Sequence, residues 1–417
     1  MRICVIGAGV AGLCSIKRAI EYHCEVMAFE QSAEIGGTWV LREEIGKDKF
    51  GLNVHSSMYK GLRTDIPKEV MSYPDFPYPT KTTSYIPSSD VLDYLNAYAN
   101  KFDLLDKIKF QHNVIRVCPL ADNSWEVIVR NLPKNSYEIF IFDAVFVCTG
   151  NFHTPNSPII KGNEIFKGKQ IHSHDYCDAE QFRNEKVCII GSGPTGIDVV
   201  QAISKTAHSV IWSTHLKQQL NITLADNVIM KPDIAELCSN RAIFVDGSYE
   251  NFTILLQCTG YKHSFPFLSV DCDVVVEENF VSPLYKHCLN INRPTLTFIG
   301  LPTVGCNNQL FDYQVRFCLK FMTQQLKLPT KEEMLRDYKK NMEEQWKRGL
   351  SKRRAHLLGF DVQEKYFEEL STIAQLEPVK PVILKIFNKS ILNLFSNLDN
   401  YREKNFKVIN DEEFKEF

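Results

Sequence analysis

VCIIGSGPTG, Val187 to Gly196, decides the fold. Four apolar residues run into glycines spaced G-x-G-x-x-G, and IDVVQAI follows. That reads as strand, tight turn, helix, the arrangement that offers backbone N–H groups to a dinucleotide's phosphates. The first glycine permits the turn, the second lets backbone approach a pyrophosphate, and the third lets helix and strand pack closely. The chain opens with the same pattern in ICVIGAGVAG, Ile3 to Gly12. Gly7, Gly9 and Gly12 match Gly191, Gly193 and Gly196. Val10 and Ala11 at one box, and Pro194 and Thr195 at the other, supply the start of each helix. Two such boxes predict an α/β protein with two Rossmann-like dinucleotide-binding domains.

The strands after the boxes differ in how they end. CEVMAFE closes on Glu30, where a carboxylate accepts hydrogen bonds from ribose hydroxyls. Just beyond it QSAEIGGTWV carries Gly36, Gly37, Thr38 and Trp39, and a glycine pair lets backbone pass close to a flat ring or a pyrophosphate. In FAD enzymes of this fold an E-x(5)-GG-x-W pattern is common, so FAD is the expected guest. The second box's strand, SVIWS, continues into Thr214, His215 and Lys217. No carboxylate stands there in the sequence. Ser213, Thr214, His215 and Lys217 are donors suited to a ribose 2′-phosphate, which predicts NADPH over NADH.

Two further segments, VFVCTGNFHTP (Val145 to Pro155) and LLQCTGYKHSFP (Leu255 to Pro266), share an apolar strand, Cys-Thr-Gly, an aromatic residue and a turn. LTFIGLP (Leu296 to Pro302) is expected to return the chain to the first domain. The division predicted is an FAD domain of residues 1–165 and 291–417, with an NADPH domain of 166–290 inserted.

Bulk properties fit this reading. The 417 residues exceed one hydrophobic core. The net charge of −2, without a dense basic run, excludes a nucleic-acid binder. Thirteen cysteines with no CxxC fit a reducing compartment, and the expected location is cytoplasmic. No metal site is expected. No stretch approaches the roughly 20 apolar residues of a membrane helix. PVILKIFNKSILNLF (Pro381 to Phe395) has an apolar face of Val382, Ile383, Ile386, Phe387, Ile391, Leu394 and Phe395, read as a packing helix. Beyond the two glycine boxes, no internal repeat is visible.

Between the halves, FKGKQIHSHDY places Phe166, Gly168, His172 and Tyr176 in the order F-x-G-x-x-x-H-x-x-x-Y. This resembles the identifying sequence of flavin-containing monooxygenases. YKGLRTDIPKEVMSYPDFPYP (Tyr59 to Pro79) is similar to a second segment of that family, and the likeness covers most of the first 310 residues. Tyr176 and Cys177 at the motif's end favour the N- and S-oxygenating branch over Baeyer–Villiger enzymes. Soluble N-oxygenating members, insect-type alkaloid N-oxygenases among them, are the closest in kind. The resemblance implies NADPH- and O2-dependent oxygenation of a tertiary amine or a sulfide through a C4a-hydroperoxyflavin, a detoxification chemistry, in a homo-oligomer. It implies that Thr38, Trp39, Thr64 and Asp65 lie near the flavin, and that Thr195, Gly196 and Asp198 belong to the NADPH site. Asp65 stands where the family usually has Asn. An amide donates a hydrogen bond and an ionised carboxylate cannot. Asp65 is therefore the candidate for a side chain at the reactive edge. It also keeps open a second reading, an NADPH oxidase that releases H2O2.

Overall fold

Ile3, Cys4 and Val5 are wholly buried, as are Val187, Cys188 and Ile189. Continuous apolar strands of this kind form parallel sheets covered on both faces. The computed structural model describes residues 1–79, 83–215 and 221–417, and it holds two such sheets. Arg2–Ile6 is central in the first, parallel to Glu25–Glu30 on one side and Ala144–Val147 on the other. Lys186–Ile190 is central in the second, parallel to Ser209–Ser213 and Ile254–Gln257. Each central strand runs through its glycine turn into a helix, Val10–Glu21 or Pro194–Ile203.

The likeness extends further than the glycine boxes. In each half a three-stranded antiparallel meander precedes the Cys-Thr-Gly strand. The first comprises His112–Pro119, Trp125–Asn131 and Ser136–Phe142. The second comprises Ile234–Leu237, Arg241–Phe244 and Tyr249–Asn251. The architecture is thus repeated beyond the glycine boxes and the Cys-Thr-Gly segments visible in the sequence. The meanders share alternation, not residue identities, and alternation alone specifies a sheet with one covered face.

Leu296–Phe298 pairs in parallel with Ala144–Val147 and so rejoins the first sheet. Leu284–Tyr285 and Leu289–Asn290 already belong to that sheet as an antiparallel edge, ahead of residue 291. The buried Leu284 and Leu289 tie this hairpin to the first half's cores.

Four helices follow: Asn307–Met322, Lys331–Lys347, Gly359–Ala374 and Pro381–Ser396. A capping box at Thr330 and Glu333 starts the second of them. In the last, Val382, Ile383, Ile386 and Phe387 are buried as expected of a packing helix. Phe395, counted in that face, is 64% exposed: five residues beyond the buried Ser390, it has turned roughly 140° around the helix axis. Among the described residues, no helix is long and apolar enough to cross a membrane.

Candidate active site

The two glycine turns are built alike, and their glycines divide into two kinds. Gly7 has φ +103°, and a Cβ on it would lie 2.6 Å from the Cys148 carbonyl oxygen. Gly12 could carry none, since its Cβ would fall 1.9 Å from the Gly7 oxygen. Gly191 (φ +110°) meets the Cys258 oxygen at 2.3 Å, and Gly196 meets the Gly191 oxygen at 2.3 Å. This explains the paired Cys-Thr-Gly segments: each cysteine's backbone forms the wall behind a first glycine. The middle glycines face outward instead. Around Gly193 a Cβ would find nothing within 4 Å, and at Gly9 its nearest neighbour is Gly37 Cα at 3.5 Å. Gly9 and Gly193 are also the N-caps of their helices, and neither helix has a side-chain cap. First-turn N–H groups without a cap at the end of a parallel strand suit a phosphate.

Around the first turn the chain adds a second glycine layer. Gly36 N–H donates to the Ala8 oxygen at 3.1 Å, which brings Gly37 against Gly9. The Glu30 carboxylate accepts from Ala8 N–H and Ser32 N–H, both at 2.8 Å. Two N–H groups leave a carboxylate with lone pairs to spare for ribose hydroxyls. Thr38 Oγ1 lies 3.2 Å from Ser57 Oγ, and the Thr38 carbonyl accepts from Ser56 Oγ at 3.0 Å. Trp39 packs into the apolar clusters beneath. Thr64 is buried, and its hydroxyl accepts from Ile86 N–H at 3.2 Å.

Around the second turn the expected donors separate. Ser213 is wholly buried and donates to the Pro232 carbonyl at 2.9 Å, so its hydroxyl is turned into the protein. Thr214 is buried with its N–H on the Lys231 oxygen. His215 is exposed, and Lys217 lies outside the described residues. The acid-free neighbourhood expected from the sequence needs a correction: Asp233, from the next loop, approaches His215 Nδ1 to 3.9 Å.

Between the turns lies an ion cluster whose cation sequence reasoning missed. Arg402, near the C-terminus, donates to Asp65 Oδ1 at 2.6 Å and to both Asp198 oxygens at 2.8 and 3.0 Å. Its Nε donates to the Thr64 carbonyl at 3.2 Å, and Tyr59 OH donates to Asp198 at 3.1 Å. Asp65 follows the first box and Asp198 sits on the second box's helix, so one guanidinium spans both halves. Asp65 keeps 42% of its side-chain surface exposed. Its pKa is raised to about 6, by burial first and by Asp198 next, against the pull of Arg402. Asp65 thus has both a raised pKa and a facing donor in Arg402. No local signal marks Arg402; it sits 337 residues from Asp65 and 204 from Asp198.

The linker motif docks on the same region. A Cβ on Gly168 would strike the Phe166 ring at 2.4 Å and the Thr253 oxygen at 2.4 Å. Tyr176 is buried, 5.3 Å from the Tyr59 ring. His172 Nδ1 accepts from His174 N–H at 3.0 Å, and its ring stands edge-on to Tyr261 at 5.3 Å. Burial pulls its pKa down to about 4, so it is neutral at pH 7. The neighbouring His174 ring reaches the Val54 carbonyl at 2.8 Å in the first half.

One thiol pair was not visible in the spacing. Cys288 and Cys318 approach to 3.8 Å, but both are buried in the core of the first half, away from either turn.

Comparison with known proteins identifies the family. The flavin-binding monooxygenase-like family matches residues 1–221 and 216–395. Senecionine N-oxygenase of Tyria jacobaeae is 33% identical over 99% of this chain and 91% of its own. The structure of S-allyl-L-cysteine S-oxygenase from Allium sativum superposes with a TM-score of 0.90 at 28% identity, over 97% of this chain and 95% of that one. That of Tmm from Pelagibacter gives 0.86 at 26%, over 96% and 93%. Members of the family are flavoproteins and in general use NADPH. The chain belongs to the flavin-binding monooxygenase-like family, and it is a monooxygenase of the oxidoreductase class.

Proposed function

We propose that FAD occupies the first glycine turn and NADPH the second, and that the enzyme oxygenates a soft nucleophile, the nitrogen of a tertiary amine or the sulfur of a thioether. The observation that carries this reading is the pair of outward middle glycines, Gly9 and Gly193, each at an uncapped helix end, in halves that Arg402 bridges through Asp65 and Asp198. Bound FAD supplies electron transfer from NADPH and the chemistry with O2. The overall balance for a thioether is NADPH + H⁺ + O2 + R2S giving NADP⁺ + R2SO + H2O.

The chain's own residues bind, orient and exclude water. Val10 and Ala11 present first-turn amides to one pyrophosphate, and Thr195 and Gly196 to the other. Glu30 takes ribose hydroxyls, while Gly37 and Thr38 close over the first nucleotide. His215 and Lys217 are the remaining candidates for a 2′-phosphate. Arg402 holds Asp65 and Asp198 so that the two nucleotide halves keep one spacing, which orientation-dependent transfer between cofactors requires. Relatives named for N-oxygenation and for S-oxygenation both support the reading.

Its test is an aerobic assay under ¹⁸O2 with trimethylamine and with a methyl thioether. The expected result is labelled N-oxide or sulfoxide in step with NADPH consumed. A second reading, an oxidase releasing H2O2, is carried by Asp65, a carboxyl where the family usually has an amide. NADPH consumption with stoichiometric peroxide and no labelled product would decide for it.

A further inference from the structure

A cleft of about 360 Å³ is lined by His263, Asn279, Thr303, Arg353, Arg354 and His356. It opens where strands of both sheets end. Thr303 follows Leu296–Phe298 of the first sheet, and its N–H donates to the His356 carbonyl at 3.0 Å. Arg353 donates to the Thr259 carbonyl at 3.0 Å, and Thr259 follows Cys258, the wall behind Gly191. Crevices outside the carboxyl ends of parallel strands are where ligands of such folds bind.

The charge of this cleft is one-sided. Among the described residues neither Arg353 nor Arg354 has a carboxylate partner, and no carboxylate lines the walls. Their neighbour Lys352, by contrast, is paired with Glu277 at 2.8 Å. His263 and His356 are kept neutral by burial. His263 Nδ1 is buried with no partner, a polar atom that a ligand would satisfy. Guanidinium forks match planar oxyanions, and an unneutralised pair of them disfavours an ammonium group.

We propose that this cleft binds an anionic group, a carboxylate or sulfate, carried by the substrate, so that acidic thioethers are preferred over cationic amines. This rests on the oxygenase reading above and sharpens it to a substrate class. The other source of an oxyanion is NADPH itself. The strand order argues against its 2′-phosphate: Ser209–Ser213, whose end leads to His215, lies two strands from Ile254–Gln257. That is roughly 10 Å from Thr259.

The test compares 3-(methylthio)propanoate with its amide, which share the thioether and differ in charge, on the FAD-loaded enzyme. The expected kcat/KM ratio of acid to amide is about tenfold, carried by KM, as one charge-assisted contact gives. In Arg354→Gln, which leaves the Arg353 bond to Thr259 in place, the ratio falls to near one. The acid should also raise the Tm of the FAD-loaded enzyme without NADPH, and the amide should not. A wild-type ratio near one, or a Tm indifferent to the acid, overturns the proposal. So does an Arg354→Gln variant that keeps the acid preference but loses NADPH affinity, which would assign the arginine to the dinucleotide. Trimethylamine oxygenation without any thioether product sinks this inference alone, whereas no oxygenated product from any of the three sinks the oxygenase reading as well.

Discussion

The two glycine turns share a backbone and differ in what surrounds them. At the first, Gly37 packs against Gly9, Glu30 is pinned by two N–H groups, and the start of the helix is buried from Ala11 onward. At the second, Gly193 and Pro194 are exposed, no residue stands in front of Gly193, and the strand end carries an exposed histidine beside an aspartate. The difference comes from the chain between the second strand and the rest of each sheet. In the first half residues 31–107 include the second glycine layer, the Thr64–Asp65 turn and the helix Ser88–Lys101. In the second half only residues 214–227 separate Ser213 from the next strand. Under the proposed assignment, the first turn keeps its nucleotide and the second exchanges it.

The strongest way to break that contrast is to fill the third glycines. A Cβ at Gly12 would sit 1.9 Å from backbone oxygen, so Gly12→Ala should destabilise the protein by about 3 kcal/mol and yield it without flavin. Gly196→Ala, with the same clash in the second turn, should remain yellow and lose NADPH saturation. Thermal unfolding and the flavin spectrum of the two proteins test this. Colourless protein in both cases would mean the turns are not independent.

Glu30→Gln is a milder probe. It keeps the shape but gives up one charged acceptor, a loss of about 1–2 kcal/mol. Flavin should dissociate roughly tenfold more readily on dilution, followed by fluorescence, with NADPH affinity unaltered.

The bridge between the halves is tested through pH. Asp65's folded pKa, about 6, lies above its unfolded value. The folded state therefore binds this proton more tightly, and the contribution is full below the unfolded pKa and lost as pH rises through 6. Asp65→Asn should gain stability over wild type at pH 7.5, lose about half of that advantage at pH 5, and lose the rest only below the ordinary carboxylate value of 3.8. Denaturant midpoints at the two pH values check the sign. An advantage that grows on acidification would show that the Arg402 pairing dominates the carboxyl.

The smallest expected effect is at the second strand end. Asp233→Asn removes a carboxylate 3.9 Å from His215. It should widen the NADPH over NADH preference by roughly two- to threefold, the scale of a screened surface pair. An unchanged ratio of the two Kd values would place the 2′-phosphate elsewhere.

Much of this was legible in the sequence because its signals are local. Glycine spacing, flanking apolar runs and the acid at Glu30 specify strand, turn and helix within thirty residues of one another. Three things were not legible, for distinct reasons. Ser213 reads as a donor, but a strand buried on both faces gives no sign of which way its last hydroxyl turns. Asp233 enters from a later loop, and Arg402 from the far end of the chain, so neither lies in the neighbourhood they change. The repeated meander was hidden because alternation tolerates complete replacement of residues.

One anaerobic titration tests the proposed division of labour between the two turns. Wild type, Gly9→Val and Gly193→Val are each mixed with NADPH while flavin absorbance is followed. Gly193 has open space around it and an ordinary φ of −72°, so valine there spares the fold. The account predicts saturable bleaching in wild type, no flavin to bleach in Gly9→Val, and a Gly193→Val protein that stays yellow on NADPH yet bleaches with dithionite. A Gly193→Val protein bleached by NADPH with wild-type saturation would contradict it.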